Sequence, residues 1–115
     1  MRFAALIASA CLITACATQQ ATSQPSAITR GSHIAEANCS SCHAVGRSGE
    51  SPFPEAPPFR TLSTNYRVDS LAEALAEGIS VGHPAMPEFQ FAPDDVNALV
   101  SYLQSIQDPN NQTNQ

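Results

Sequence analysis

The chain has 115 residues and a formal net charge of −5, with five arginines and no lysine. This length allows one small domain at most, and the negative charge argues against nucleic acid as a partner while favouring basic or apolar partners. A core of this size usually needs a disulfide, a metal or a cofactor to be stable.

The first 15 residues, MRFAALIASACLITA, place one arginine before a short apolar run. The run is too short for a stable membrane span and is typical of a secretory signal peptide. ITAC at 13–16 resembles a bacterial lipobox and predicts lipidation of Cys16, with ordinary cleavage after Ala17 as the alternative. Export predicts a periplasmic or cell-envelope protein, anchored to the membrane as a lipoprotein.

Polar, uncharged residues dominate the segment 16–28, which predicts a flexible spacer between the anchor and the folded part. The final segment, 108–115, is similarly polar, and Pro109 would end any helix that reached it. These two segments leave residues 29–107 as the folded domain.

The first helix is predicted over 30–42, opened by Thr29 or Ser32. The segment 46–68 that follows is rich in Gly, Pro and Ser and is predicted to be loop. A loop this long in so small a domain suggests that it wraps around something the chain itself does not supply.

The second helix is predicted to begin at SLAE, where Ser70 caps the helix and Glu73 returns the hydrogen bond. Its end is expected between Gly78 and Gly82, because glycine is favoured at the end of a helix. Its apolar stripe consists of Leu71, Ala72, Leu75 and Ile79.

The third helix has the strongest pattern in the chain. Pro93 suits a first turn, and Asp94 and Asp95 suit the positive end of the helix dipole. The apolar residues that follow recur every three to four positions: Val96, Leu99, Val100, Leu103 and Ile106. No segment alternates as a strand does, so the domain is predicted to be all-α.

Two cysteines and a histidine, Cys39, Cys42 and His43, form a Cys-x-x-Cys-His sequence. A zinc site needs four ligands, and the chain adds only His33 and His83 as nitrogen donors. A thioredoxin-like pair needs a βαβ context that is missing here, and a simple disulfide leaves the histidine without a role. Cys-x-x-Cys-His is the sequence at which c-type haem is attached, with two thiols for the vinyl groups and an imidazole for the iron.

Over 29–107 the chain resembles the class I cytochromes c, the monohaem electron carriers, here of an exported bacterial type. The resemblance rests on NCSSCH, APPFRTL, GHPAMPEF and LVSYLQS, in that order. It implies an all-α bundle of three to five short helices around one covalently attached haem c. The mitochondrial members dock through a ring of lysines, which this chain lacks.

The resemblance also implies roles for individual residues. His43 would bind the iron from one side and Met86 from the other. The carbonyl of Pro57, or of Pro58 if the register differs by one, would accept a hydrogen bond from the His43 imidazole. Phe59 would line the haem pocket together with Leu62, Leu75, Ile79, Phe89 and Leu99.

Other residues are assigned by the same comparison. His83, three residues before Met86, is the rival sixth ligand, and His33 is expected to be a surface residue. The family packs a glycine of its first helix against an aromatic residue of its last, which Gly31 and Tyr102 match.

The function predicted from these observations is one-electron transfer between exported or membrane redox proteins, by a monomeric carrier that is not an enzyme. Its partners would be a protein donor and a protein acceptor. Two alternatives remain open: a haem-bearing subunit of an oxidoreductase complex, and a haem sensor or enzyme with an open iron site if Met86 does not bind the iron.

Overall fold

The computed structural model describes residues 25–78 and 84–109. The predicted all-α class is confirmed, since the described residues form helices and no strand. Their elements, in chain order, are helix α1 (Ala27–Cys39), a first 3-10 helix (Phe59–Thr64), a second 3-10 helix (Val68–Ser70), helix α2 (Leu71–Glu77) and helix α3 (Pro93–Ser105). None of the helices described is long and apolar enough to cross a membrane. The predicted signal peptide, Cys16 and most of the predicted spacer and tail lie outside the described residues.

Helix α1 begins and ends three residues earlier than predicted. Its N-cap is Ser26, whose Oγ accepts a hydrogen bond from the Thr29 amide at 3.2 Å. The predicted start at Thr29 or Ser32 was wrong because both residues already lie inside the helix, where the Ser32 hydroxyl donates to the Thr29 carbonyl. The cap was missed because Ser26 lies in the polar stretch that reads as spacer.

The segment predicted as loop, 46–68, contains the first 3-10 helix and the first residue of the second, so that prediction was wrong in part. A 3-10 helix of six residues is too short to show a period in the sequence. The first is fastened to the end of α3 by the buried side chain of Gln107. Gln107 accepts a hydrogen bond from the Ser63 amide and donates one to the Phe59 carbonyl, both at 2.8 Å.

Helix α2 begins directly after Ser70, as predicted, and ends at Glu77, just before the predicted range, with Gly78 as its C-cap residue. Ser70 is the last residue of the second 3-10 helix, and its side chain makes no capping hydrogen bond, so the predicted capping box with Glu73 was wrong. At the other end, Gly78 has a left-handed conformation with φ of 74°, and its amide donates to the Ala74 carbonyl at 3.0 Å. Two predicted residues of this region lie outside the described residues: Ile79 and Gly82.

Helix α3 begins at Pro93 as predicted and crosses α1 at Gly31. A Cβ atom at Gly31 would collide with the Ala98 carbonyl and lie 2.7 Å from Tyr102 Cβ, so only glycine permits this approach. The predicted contact between Gly31 and Tyr102 is thereby confirmed. An ion pair between Arg30 and Asp95, at 2.6 Å, joins the same two helices. The main cluster of buried apolar residues comprises Ala35, Phe59, Leu62, Val68, Leu99, Leu103 and Ile106.

Candidate functional site

The Cys-x-x-Cys-His sequence lies where helix α1 ends. The amides of Cys42 and His43 both donate to the Cys39 carbonyl, at 3.1 and 2.9 Å, so the chain turns tightly after the helix. Cys39 is the last helical residue, and the turn, rather than a continuing helix, sets the position of the next sulfur. Both cysteines are half-buried, and neither forms a disulfide within the described residues.

The His43 ring is oriented by two contacts. Its Nδ1 lies 2.8 Å from the Pro57 carbonyl, and its centroid lies 5.0 Å from that of the Phe59 ring. Pro57 therefore provides the hydrogen bond, and the neighbouring Pro58 carbonyl accepts instead from the Thr61 amide and hydroxyl. Because a carbonyl can only accept, Nδ1 carries the proton and Nε2 keeps a lone pair for a ligand bond.

A cavity of about 500 Å³ lies between the helices and the loop segments, bordered by a smaller one of about 160 Å³. His43 and Met86 line both cavities. Cys39 also lines both, whereas Cys42 lines only the smaller. The apolar residues predicted for the pocket line the larger cavity: Phe59, Leu62, Leu75, Phe89 and Leu99. The structure thus brings a ring nitrogen donor, a thioether and two thiols to the walls of two cavities that share lining residues.

The segment that carries Met86 is held on its C-terminal side. The Phe91 amide donates to the Leu75 carbonyl at 2.9 Å, which fastens this segment to α2. The rings of Phe89 and Phe91 stack with centroids 5.7 Å apart. Met86 itself is half-buried between exposed neighbours. His83 lies outside the described residues, and His33 is exposed on α1, as predicted.

Several polar residues line the larger cavity but not the smaller one, which the sequence did not indicate. Arg67 is the only arginine among the described residues that line either cavity. Its guanidinium is 2.8 Å from a carboxylate oxygen of Asp69, and this hydrogen bond holds the pKa of Asp69 below its usual range. The other polar residues that line only the larger cavity are Asn65, Tyr66 and Ser70. In the sequence, Tyr66 and Arg67 lie between two short helices and belong to no motif that would distinguish them from ordinary surface residues.

Burial, with a smaller contribution from the neighbouring Cys42, raises the pKa of the Cys39 thiol to about 11. At neutral pH this thiol is protonated, whereas redox-active Cys-x-x-Cys pairs need a lowered pKa. The described residues also contain no group of three or more His, Cys, Asp or Glu side chains that could hold a metal ion. The raised pKa of Cys39 weighs against the thioredoxin-like interpretation. One imidazole and one thioether lining an apolar cavity, with two thiols at its edge, fit haem iron.

The fold and this site are those of a class I monohaem c-type cytochrome domain. The family model described as "Cytochrome C oxidase, cbb3-type, subunit III" matches residues 26–103, and the chain belongs to this family. The family implies covalently bound haem c and haem-based electron transfer. Searches among curated proteins and among solved structures found no match.

Proposed function

We propose that the protein carries single electrons between exported or membrane redox proteins, with His43 and Met86 as the two axial ligands of one haem. The observation that carries this proposal is that both side chains line the same apolar cavity, at whose edge the two cysteines lie. The iron of the bound haem supplies the one-electron chemistry. The protein supplies the position, the ligands and the dry surroundings.

The proposed ligands differ in what they contribute. The Pro57 carbonyl holds the proton on His43 Nδ1, which fixes the ring and makes Nε2 a stronger donor. The thioether of Met86 is a soft ligand that favours ferrous iron and so raises the reduction potential relative to a second imidazole. Apolar walls such as Leu99, which is 2% exposed, keep water from the site.

Cys39 and Cys42 would hold the haem covalently. The Arg67 guanidinium and the Tyr66 hydroxyl, which line the larger cavity but not the smaller one, suit the carboxylates that haem carries. The chain has one Cys-x-x-Cys-His sequence, which supports one haem per chain.

The leader supports a proposed location outside the cytoplasm. Lipidation of Cys16 would anchor the chain, and the polar residues before Ser26, the N-cap of α1, would act as a tether. The domain would then work near a membrane surface, within reach of membrane-bound donors and acceptors.

A second candidate is a haem-bearing subunit of an oxidoreductase complex. The observation that favours it is the family description, which names a subunit of an oxidase. Purification from native membranes under mild conditions distinguishes the two, because a subunit brings a second chain in constant stoichiometry and an independent carrier does not.

The test of the proposed function is a reduced-minus-oxidised absorption spectrum of the protein made in a haem-attaching bacterial host, repeated after acid-acetone extraction. We expect sharp low-spin bands that survive extraction, because the haem is covalently held and both axial positions are filled. Absence of haem, or haem that washes out, would overturn the proposal and leave Cys39 and Cys42 as an ordinary thiol pair.

A further inference from the structure

The smaller cavity is lined by Cys42 and by seven residues that are exposed at the surface. Four of the seven are apolar, namely Phe53, Pro84, Ala85 and Pro87; two are polar and uncharged, namely Asn38 and Ser41; and one, Glu55, is acidic. We call the side of the cavity at which these exposed residues lie its opening, and the four apolar residues together with Glu55 the mouth face.

Phe53 is fixed at this opening by the backbone. Its amide donates to the Cys42 carbonyl at 3.1 Å, and its own carbonyl accepts from the Ala56 amide at 2.9 Å in a tight turn. The side chain nevertheless remains 38% exposed, although most large apolar residues of the described chain are covered. A rigid aromatic side chain that is already positioned and partly exposed suits the apolar centre of a protein–protein contact.

The charges at the mouth face have one sign. Glu55 lines the opening, and Glu88 is exposed between two residues that line it, Pro87 and Phe89. Neither carboxylate forms an ion pair with another described residue. No arginine lines the smaller cavity, and the arginines of the described chain bond elsewhere: Arg30 to Asp95, Arg47 to the Ser105 carbonyl, Arg60 to the Gly49 carbonyl and Arg67 to Asp69.

We propose that the mouth face is the surface through which this cytochrome exchanges electrons with a partner protein that presents an apolar patch surrounded by basic side chains. The inference rests on the proposed electron-transfer function, and it names the chemistry of the partner. Cys42 lies at this opening, so a partner here approaches the end of the cavity where the haem would be attached. Complementary charge speeds encounter, and the aromatic contact orients it.

The first experiment uses the full-length, haem-loaded protein, reduced and then mixed in stopped flow with two small oxidants. Tris(phenanthroline)cobalt(III) is a trivalent cation with aromatic ligands, and ferricyanide is a trivalent anion. We expect Glu55→Gln and Glu88→Gln each to lower the rate constant with the cation by about twofold at low salt, and to raise it with ferricyanide. Both effects should fade above about 0.1 M ionic strength, where the Debye length is about 10 Å.

Two further variants separate local from general effects. Glu36→Gln makes the same change in net charge, but on helix α1. The Glu36 carboxylate lies near Tyr102, whose pKa is raised mainly by burial and also by this carboxylate, and it lines neither cavity. This variant should leave both rate constants unchanged. Phe53→Ala should slow the aromatic cation several-fold with little effect on ferricyanide, and Phe53→Leu should restore most of the loss. Reduction potentials of all variants are measured so that differences in driving force are removed.

A protein probe tests the kind of partner directly. Mitochondrial cytochrome c, with its ring of lysines, is added to the isotope-labelled, haem-loaded protein at low salt, and amide signals are followed by NMR. We expect shifts confined to residues 53–56 and 84–89 that disappear at high salt. Shifts near Arg67 instead would place the contact beside the larger cavity and overturn the proposal. Shifts caused by anionic lipid vesicles but not by the basic protein would also overturn it.

The outcomes also distinguish this proposal from the function on which it rests. If the haem-loaded protein exchanges electrons but the Glu55, Glu88 and Phe53 variants match Glu36→Gln, the mouth face is not the docking surface and the carrier function stands. If the chain takes up no covalent haem, the carrier function and the docking surface are both overturned.

Discussion

His43 illustrates how a single side chain is prepared for its proposed role. Its Nδ1 is bonded to the Pro57 carbonyl at 2.8 Å, and the Phe59 ring lies against one side of it. These contacts hold the proton on Nδ1, so Nε2 is the nitrogen that can bind the iron. Met86 has no such hydrogen bond to fix it. Its role as a ligand therefore depends on the loop that carries it, and substitution of Met86 tests that role directly.

Replacing Met86 by Ala in the haem-loaded protein should remove the sixth ligand. The iron then has an open position, so we expect high-spin absorption bands, rapid binding of carbon monoxide to the reduced form and a lower reduction potential. His83→Ala is the matched control and should keep the wild-type spectrum. An unchanged spectrum in Met86→Ala, with a changed one in His83→Ala, would make His83 the ligand.

At the scale of helices, the crossing of α1 and α3 sets the frame around the cavity. Gly31→Ala should destabilise the protein by about 1–3 kcal/mol, because the added methyl group meets the Ala98 carbonyl and Tyr102 Cβ in a packed contact. Gly46→Ala is the control, since a Cβ atom there meets nothing within 4 Å. Urea denaturation of the two haem-loaded variants measures the difference, and equal midpoints would contradict the close approach.

Tyr102 connects α3 to the chain just after the Cys-x-x-Cys-His turn, because its hydroxyl donates to the Val45 carbonyl at 2.8 Å. Tyr102→Phe should cost about 1 kcal/mol at neutral pH, the usual value of one such hydrogen bond. Burial raises the pKa of Tyr102, so the unfolded chain ionises this phenol first. Its contribution to stability is therefore complete below about pH 10 and declines as pH rises further.

The free energy of unfolding of wild type and Tyr102→Phe, measured from pH 7 to pH 11, tests this coupling. The difference between the two proteins cancels the pH effects that they share. We expect it to be constant up to about pH 9 and to narrow above about pH 10. A difference that stays constant throughout would mean that the phenol is no harder to ionise in the folded protein.

The elements also show which features a sequence can reveal. Helix α3 was predictable because Pro93 marks its start and its apolar residues repeat through several turns. The beginning of α1 was not, since Ser26 looks like the spacer before it, and a cap is recognisable only once the helix is known. The 3-10 helices, of six and three residues, were missed because segments this short carry no usable period, and the position of the first depends on the tertiary hydrogen bonds of Gln107.

The same distinction applies to the site. Cys39, Cys42 and His43 are adjacent in the chain, so their joint role was visible in the sequence. The polar residues around Arg67 were not recognisable as part of the site, because they come to line the larger cavity only when the second 3-10 helix and α2 fold against α3. Composition likewise gave the sign of the net charge but not its distribution. The acidic residues beside the smaller cavity became apparent only in three dimensions.

At the scale of the whole molecule, the remaining question is what keeps the domain near its partners. If Cys16 is lipidated, Cys16→Ser should move the haem-loaded protein from the membrane fraction to the soluble fraction of the producing cells, since the anchor is lost while the signal peptide still directs export. Cys11→Ser changes the other leader cysteine and should leave the protein in the membrane fraction. Mass spectrometry of the mature N-terminus measures the same property directly, by the added mass of the acyl chains on residue 16. A soluble wild-type protein that begins after Ala17 would show instead that the leader is simply cleaved, and that the carrier diffuses freely between its donor and acceptor.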